Sequence, residues 1–303
     1  MAPPPMKQPM FVRSPSDMGT LSGKVAVVTG ASRGIGKGMA IALAREGATV
    51  YVTGRTVSAG QHTLPGTVGE TAQMCCQVGG QGIAVGVDHA DDEQIAALFA
   101  QVRREQGRLD ILVNNAFPIP DDLLEPVGFW EKPLSNLDMW DVGIRGIFIA
   151  AWHAAQIMVP QKSGLIVAIS GYAASTYTYG VVFGTSKTAV GRMTRDMAIE
   201  LKPHGVAAVT LWQGLTLTER AVENLAKVAD KMTTSITGQK GSSVEHPGRV
   251  IAALANDPAI MARSGGEFIT AELAQNYGIT DDDGTMVASM REQRGAPIWN
   301  PIG

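Results

Sequence analysis

Residues 183–187 read Phe183, Gly184, Thr185, Ser186, Lys187, and Ser170 ends the apolar run GLIVAIS thirteen positions upstream. Positions 183 and 187 are one helical turn apart, so on a helix their side chains share a face. A serine, a hydroxyl and an amine gathered in one cleft could pass a proton to or from a reacting oxygen. The layout looks like such a site with one part replaced. The chemistry needs a hydroxyl at 183, and the phenyl ring of Phe183 carries no ionisable proton. A positioned general acid is worth roughly 10²–10⁴ in rate, or about 3–5 kcal/mol of barrier, so ordinary carbonyl chemistry should suffer at least that much.

A second group of residues points to an anionic ligand. TGASRGIG (29–36) lies between an apolar run and a helical pattern. Gly30 permits a tight turn, Gly34 lets backbone approach a pyrophosphate, and Gly36 allows close helix packing. The helix N-terminus adds N–H donors and partial positive charge. Gly30, Ser32, Arg33, Gly34, Ile35 and Gly36 are therefore candidate phosphate-binding residues, the strand-first, helix-second context being the one such a loop requires. The next apolar run ends TGRT. An acidic side chain at Gly54 would bind adenosine ribose hydroxyls; instead Arg55 follows, and Arg33 sits in the loop. Two guanidinium groups near the ribose 2′ position suit a 2′-phosphate, so NADP(H) is expected as cofactor in preference to NAD(H). The plainer alternative is that both are solvated surface charges.

The elements that must position these residues follow from periodicity. KVAVVTG (24–30), ATVYVTG (48–54), GIAVGVD (82–88), LDILVNNA (109–116), GLIVAIS (164–170), VAAVTLW (206–212) and EFIT (267–270) read as strands. KVAVVTG is β-branched and apolar throughout, which suits a parallel strand buried on both faces. Helical patterns separate the runs: after the phosphate loop, after a cap at Asp91, over about 138–160, and from about 181 to 203. Alternation of this kind predicts an α/β fold, a single-domain doubly wound parallel sheet of about seven strands. Ligands then belong at the carboxyl ends of the strands. Residues 1–20, with five Pro, read as a flexible N-terminal arm, and 21–303 as one dinucleotide-binding and catalytic domain, with 284–303 as a C-terminal tail.

TGASRGIG, Val87-Asp88, Asn114-Asn115-Ala116, Ser170 and Lys187 stand in the order and spacing of the short-chain dehydrogenase/reductase superfamily, which the chain resembles over roughly residues 20–275. YVTGR, NNAF, VGIRG, GLIVAIS and ARSGGEFITAELAQNYGITDDDG look closest to its subgroup around dehydrogenase/reductase family member 1. The resemblance implies a Rossmann-like fold and hydride transfer between a nicotinamide and a carbonyl carbon. It implies that Asp88 meets the adenine, that Asn115 and Ala116 line the path to the nicotinamide, and that Gly214 and Thr216 contact its far end. Asp88 as a strand-end cap and the Asn pair as a turn are the plain alternatives. In the family a Tyr exchanges the oxygen's proton, a Lys four residues on lowers its pKa and holds ribose, a Ser bonds the carbonyl, and an upstream Asn holds a water. Ser170 and Lys187 match the Ser and Lys; Phe183 stands at the Tyr, Gly143 at the Asn, and Gln213 at a usual Pro. Stretch 214–245 is where the family places a substrate lid, and helices 138–160 and 181–203 are its surfaces for a homodimer or homotetramer.

Phe183 leaves four readings open. It is an engineered Tyr-to-Phe change that inactivates an ordinary ketone reductase or alcohol dehydrogenase; or another acid serves, with Tyr172, Tyr177 and Tyr179 in the adjoining loop and Tyr172 nearest Ser170. Alternatively the reaction needs no acid on oxygen, as for an iminium, an activated alkene or a cyclase-type reaction; or the chain is an NADP-binding sensor or scaffold. Candidate pocket residues are aromatic: Phe117, Trp130, Tyr172, Tyr179 and Trp212. Such walls favour a bulky, apolar or aromatic small-molecule substrate. The expected activity is that of an NADP(H)-dependent oxidoreductase acting on a carbonyl, imine or activated alkene.

Composition bounds the partners. The 303 residues are 45% hydrophobic with a formal net charge of −3 and no basic block, so nucleic acid and anionic membrane are not expected partners. No continuous apolar stretch approaches the ~20 residues of a membrane span. The two cysteines, Cys75 and Cys76, are adjacent, which excludes an ordinary bridge between them and any metal-ligand spacing, so no metal is expected. A reducing, cytoplasmic setting is the simplest expectation.

Overall fold

In the computed structural model, residues 19–228 and 241–302 are described; most of the expected N-terminal arm and part of the expected lid lie outside them. Seven strands form the sheet: β1 (Val25–Val28), β2 (Thr49–Gly54), β3 (Gln81–Gly86), β4 (Ile111–Asn114), β5 (Gly164–Gly171), β6 (Val206–Gln213) and β7 (Glu267–Ile269). They are all parallel, in the order β3-β2-β1-β4-β5-β6-β7. Alternate residues of each strand feed opposite cores. Ala26 and Val28 of β1 enter one apolar cluster, Val25 and Val27 the other, as a two-fold side-chain period requires.

Helices cover both faces. On one face lie α1 (Gly34–Arg45) and α2 (Val68–Gln77). On the other lies α3 (Asp92–Gln106). After β4 the chain passes through a 3-10 turn (Leu134–Leu137), a short α4 (Asp138–Trp140) and a π turn (Asp141–Gly146) into α5 (Ile147–Gln161). This run, Leu134–Gln161, is long and apolar enough to cross a membrane by length and composition, which corrects the sequence reading. Half of its most apolar window is buried, and Ala150, Ala154, Ile157 and Met158 of α5 belong to the sheet's core. α6 (Val181–Leu201) packs beside it on β5 and β6. α7 (Glu219–Val228), α8 (His246–Ala255), α9 (Ile260–Arg263), α10 (Thr270–Asn276) and α11 (Arg291–Arg294) complete the order. α2 has no counterpart in the sequence reading, although its start is signalled by a capping box in which Thr67 Oγ1 accepts from Glu70 N–H and Glu70 from Thr67 N–H.

Strand order reverses between β1 and β4. The crevice at their carboxyl ends is the place such a sheet offers a ligand, and the phosphate loop opens there.

Candidate active site

The phosphate loop is held to β4 by its neighbours. Asn115 Nδ2 donates to Thr29 O at 2.9 Å and Gly30 O at 3.1 Å, and the N–H groups of Asn115 and Ala116 both donate to Thr29 Oγ1 at 2.9 Å. Asn115 thus fastens the loop to β4. Gly30 has φ 65°, and a Cβ there would stand 2.8 Å from Ala116 Cα, so the approach admits only glycine. A Cβ at Gly36 would collide with Gly30 O. Ile35 turns into the core, leaving its backbone at the helix start. The Gly34 N–H, at the N-terminus of α1, donates to Glu219 Oε2 at 2.9 Å, so a carboxylate from α7 takes the position a phosphate oxygen would want.

Around the expected ribose position the two arginines divide. Arg33 is committed to the loop after β2: Nε donates to Pro65 O, and Nη2 to Gly66 O and Thr56 Oγ1. Burial lowers its pKa, against the pull of Glu219. Arg55 is exposed, and its guanidinium has no hydrogen-bond or ion-pair partner among the described residues. Gly54 closes β2 against Ser32, with a Cβ there 3.7 Å from Ser32 Oγ; no carboxylate is present at this point. The Asp88 carboxylate accepts Ala90 N–H at 3.0 Å, which makes it the cap of a turn as well as a group on the crevice side of β3.

At the expected reaction centre Ser170 is buried, and its hydroxyl donates to the Lys187 carbonyl at 2.9 Å, tying β5 to α6. Phe183 and Lys187 lie one turn apart on α6. Gly143 falls in the π turn and is buried; a Cβ there would meet Phe117 Cδ2 and Cε2 at 2.5 Å. The Phe117 ring therefore fills the space a side chain at 143 would need. Phe117 and Phe183 meet edge to face at 5.5 Å, and Tyr179 meets Phe183 from the outside at 5.2 Å. Tyr179 has φ 59°, a left-handed conformation uncommon outside glycine, just before α6 begins. The Lys187 ammonium sits 3.7 Å above the Phe117 ring and 5.5 Å from Phe183. It has no hydrogen-bond or ion-pair partner among the described residues. The side chain as a whole is half-buried, but its charged end is enclosed. That desolvation lowers its pKa to about 8.

Other expected residues are placed elsewhere. Trp212 is fully buried, with Nε1 donating to Glu267 Oε1 at 3.3 Å, and so belongs to the core instead of the pocket wall. Tyr172 stacks edge to face on Trp212, and its hydroxyl accepts Met290 N–H at 3.1 Å. It faces a cavity of about 180 Å³ walled by Gln213, Gly214, His246, Thr270 and Met290, on the side of the C-terminal segment, and burial raises its pKa. Trp130 is exposed on the loop after β4 and packs on Phe129. Thr216 turns its hydroxyl to Ser242 and Gly214 O, within the described part of the expected lid. Thr218, not Thr216, lies against Gly34, where a Cβ would come 3.5 Å from its methyl group.

Sequence reasoning missed Thr218, Glu219 and His89. His89 is buried against Thr53 Oγ1 at 2.8 Å, and burial pushes its pKa down to about 4, so the ring is neutral. The Thr-Glu pair five residues beyond Gln213 was the available signal for the first two. Nothing local marks His89.

The sequence profile of the short chain dehydrogenase family matches residues 24–229. A human protein, "Dehydrogenase/reductase SDR family member 1", is 40% identical over 279 residues, covering 88% of this chain and 86% of its own. A "3-oxoacyl-[acyl-carrier-protein] reductase" of Synechocystis is 30% identical over 254 residues, covering 83% of this chain and 96% of its own. A solved short-chain type dehydrogenase/reductase from Mycobacterium marinum superposes with a TM-score of 0.70 at 30% identity, over 84% of this chain and 97% of that one.

Proposed function

The chain belongs to the short-chain dehydrogenase/reductase family, and from that premise we propose that it is an NADP(H)-dependent oxidoreductase acting on a bulky apolar or aromatic carbonyl, imine or activated alkene. The family supports a nicotinamide cofactor; the phosphorylated form is our reading. The observation that carries it is Arg55, a guanidinium without a partner among the described residues, beside Gly54, where a carboxylate for a free ribose would stand. Gly30 to Gly36 would cradle the pyrophosphate, Asp88 the adenine, and Lys187 the nicotinamide ribose, with Gly214 near the far end. The cofactor supplies hydride. The chain's own task is to bind, exclude water and manage a proton beside Phe117, Phe183 and Tyr179, whose rings favour a flat or apolar substrate.

Arg55→Ala tests the cofactor reading by fluorescence titration. Losing charge-assisted contacts to a 2′-phosphate should weaken NADPH by roughly 10–100-fold and leave NADH nearly unchanged; equal losses would sink the assignment. A second reading, a cofactor-binding sensor without turnover, is favoured by the proton-free ring of Phe183. NADPH oxidation with aryl ketones, cyclic imines and enones separates the two. We place the protein in the cytoplasm. The exposed Phe148, Trp152 and Ile199 on α5 and α6 support a homodimer or homotetramer through those helices.

A further inference from the structure

Two positions that would form a polar proton relay carry no polar group, and a neighbouring ring closes the space at one of them. Phe183 has no hydroxyl, Gly143 has no side chain, and the ring of Phe117 fills the space at Gly143. Ser170, the remaining hydroxyl, spends its proton on the Lys187 carbonyl. Tyr172 is turned to Met290 and packed on Trp212. Tyr179 packs edge to face on Phe183 at 5.2 Å and has no hydrogen bond to Lys187 among the described residues. What is left is an ammonium 3.7 Å above the Phe117 ring and 5.5 Å from that of Phe183.

We propose that Lys187 is the proton donor of this site, taking over from the missing hydroxyl at 183. The inference rests on the oxidoreductase reading and specifies its proton step. In carbonyl reduction the carbon gains hydride, with its two electrons, from the reduced cofactor. One N–H bond of the Lys187 ammonium breaks, an O–H bond forms on the substrate oxygen, and the neutral amine regains a proton from solvent. The π faces of Phe117 and Phe183 hold the charged end in place without fixing any of its three protons in a hydrogen bond. A lysine salt-bridged to a carboxylate would be a poorer acid. No carboxylate, imidazole or guanidinium faces Lys187 from β4, β5, the π turn or α6 among the described residues; burial alone shifts it, and it does so toward easier proton release.

Two variants and one direct titration decide the matter. Lys187→Arg keeps the charge and can still contact ribose, but a guanidinium does not give up its proton. It should bind NADPH within about fivefold of wild type and reduce aryl ketones at least ~100-fold more slowly. Wild-type kcat should fall as pH rises through about 8, because the donor is lost there. Independently of turnover, the side-chain NMR signal of Lys187 in the cofactor-free protein, assigned by its loss in Lys187→Met, should titrate near the same pH. Lys187→Arg turning over at the wild-type rate, or a Lys187 signal titrating near the ordinary ~10.4, overturns the inference. Abolition of activity by Tyr179→Phe with Lys187→Arg unimpaired does so too, and assigns the proton to Tyr179. A wild type that binds NADPH but oxidises it with none of the substrates removes the oxidoreductase reading itself, and this inference falls with it; the other failures occur with turnover present.

Discussion

Gly143 shows how far a single residue can be read before its neighbours are known. Its place in VGIRGIF revealed a missing side chain. That the Phe117 ring fills the gap is a tertiary fact, set by a residue 26 positions earlier in another loop. The same holds for Trp212, whose aromatic type suggested a pocket wall and whose register on β6 buries it completely. Gly143→Ala therefore has a definite consequence. The new Cβ would lie 2.5 Å from two carbons of the Phe117 ring, which is packed edge to face on Phe183 and lies under Lys187. The ring must move, at a cost of about 1–3 kcal/mol, and the Lys187 seat moves with it. Thermal unfolding should show the loss, and Phe117→Leu in the same chain should recover part of it. Additive effects of the two substitutions would mean that the contact is not tight.

At the scale of elements the sequence was most informative where one physical signal dominates. The short apolar runs placed all seven strands to within about two residues; most are buried along their length, whereas the edge strand β3 has no buried residue and was marked by its apolar letters alone. α2, only ten residues long, was missed, and the Thr67–Glu70 box was the available signal. The start of α7 was hidden for another reason. Glu219 reads as an ordinary first-turn acid, yet it reaches across 185 positions to the Gly34 N–H. On the proposed cofactor placement this carboxylate and the pyrophosphate compete for one helix N-terminus. Glu219→Gln lowers the charge with little change of shape, and should tighten NADPH binding roughly two- to tenfold, as expected for ~0.3–1 kcal/mol of helix-terminus interaction plus repulsion relieved. The gain should shrink at high salt. An unchanged Kd in titrations at 50 mM and 500 mM salt would show that Glu219 stands clear of the bound phosphate.

Across the whole molecule, the last residues close an edge that the parallel sheet would otherwise leave open. β7 has β6 on one side only, and residues 298–302 lie along the other: Glu267 N–H donates to Trp299 O at 2.9 Å, and Ile302 N–H to Ser264 O at 3.0 Å. The buried Glu267 carboxylate collects the N–H groups of Ile298 and Trp299 and the Trp212 indole. Arg192 and Arg195 of α6 flank the Trp299 ring at 5.6 and 5.5 Å, so the tail braces the helix that carries Phe183 and Lys187. The sequence marked 284–303 only as a tail, because the contacts that pin it to β7 and α6 are long-range. Removing residues 297–303 takes two N–H donors from a buried carboxylate. An uncompensated buried charge costs about 3–5 kcal/mol, which at ~2–4 °C per kcal/mol is a fall in Tm of roughly 6–20 °C. Glu267→Gln in the shortened chain removes the charge, keeps an acceptor for Trp212, and should restore a substantial part of that fall. The same substitution in the full chain should be destabilising, because there the carboxylate is fully satisfied. A Glu267→Gln effect of the same sign in both backgrounds would show that the tail stabilises β7 by covering it and not by neutralising Glu267.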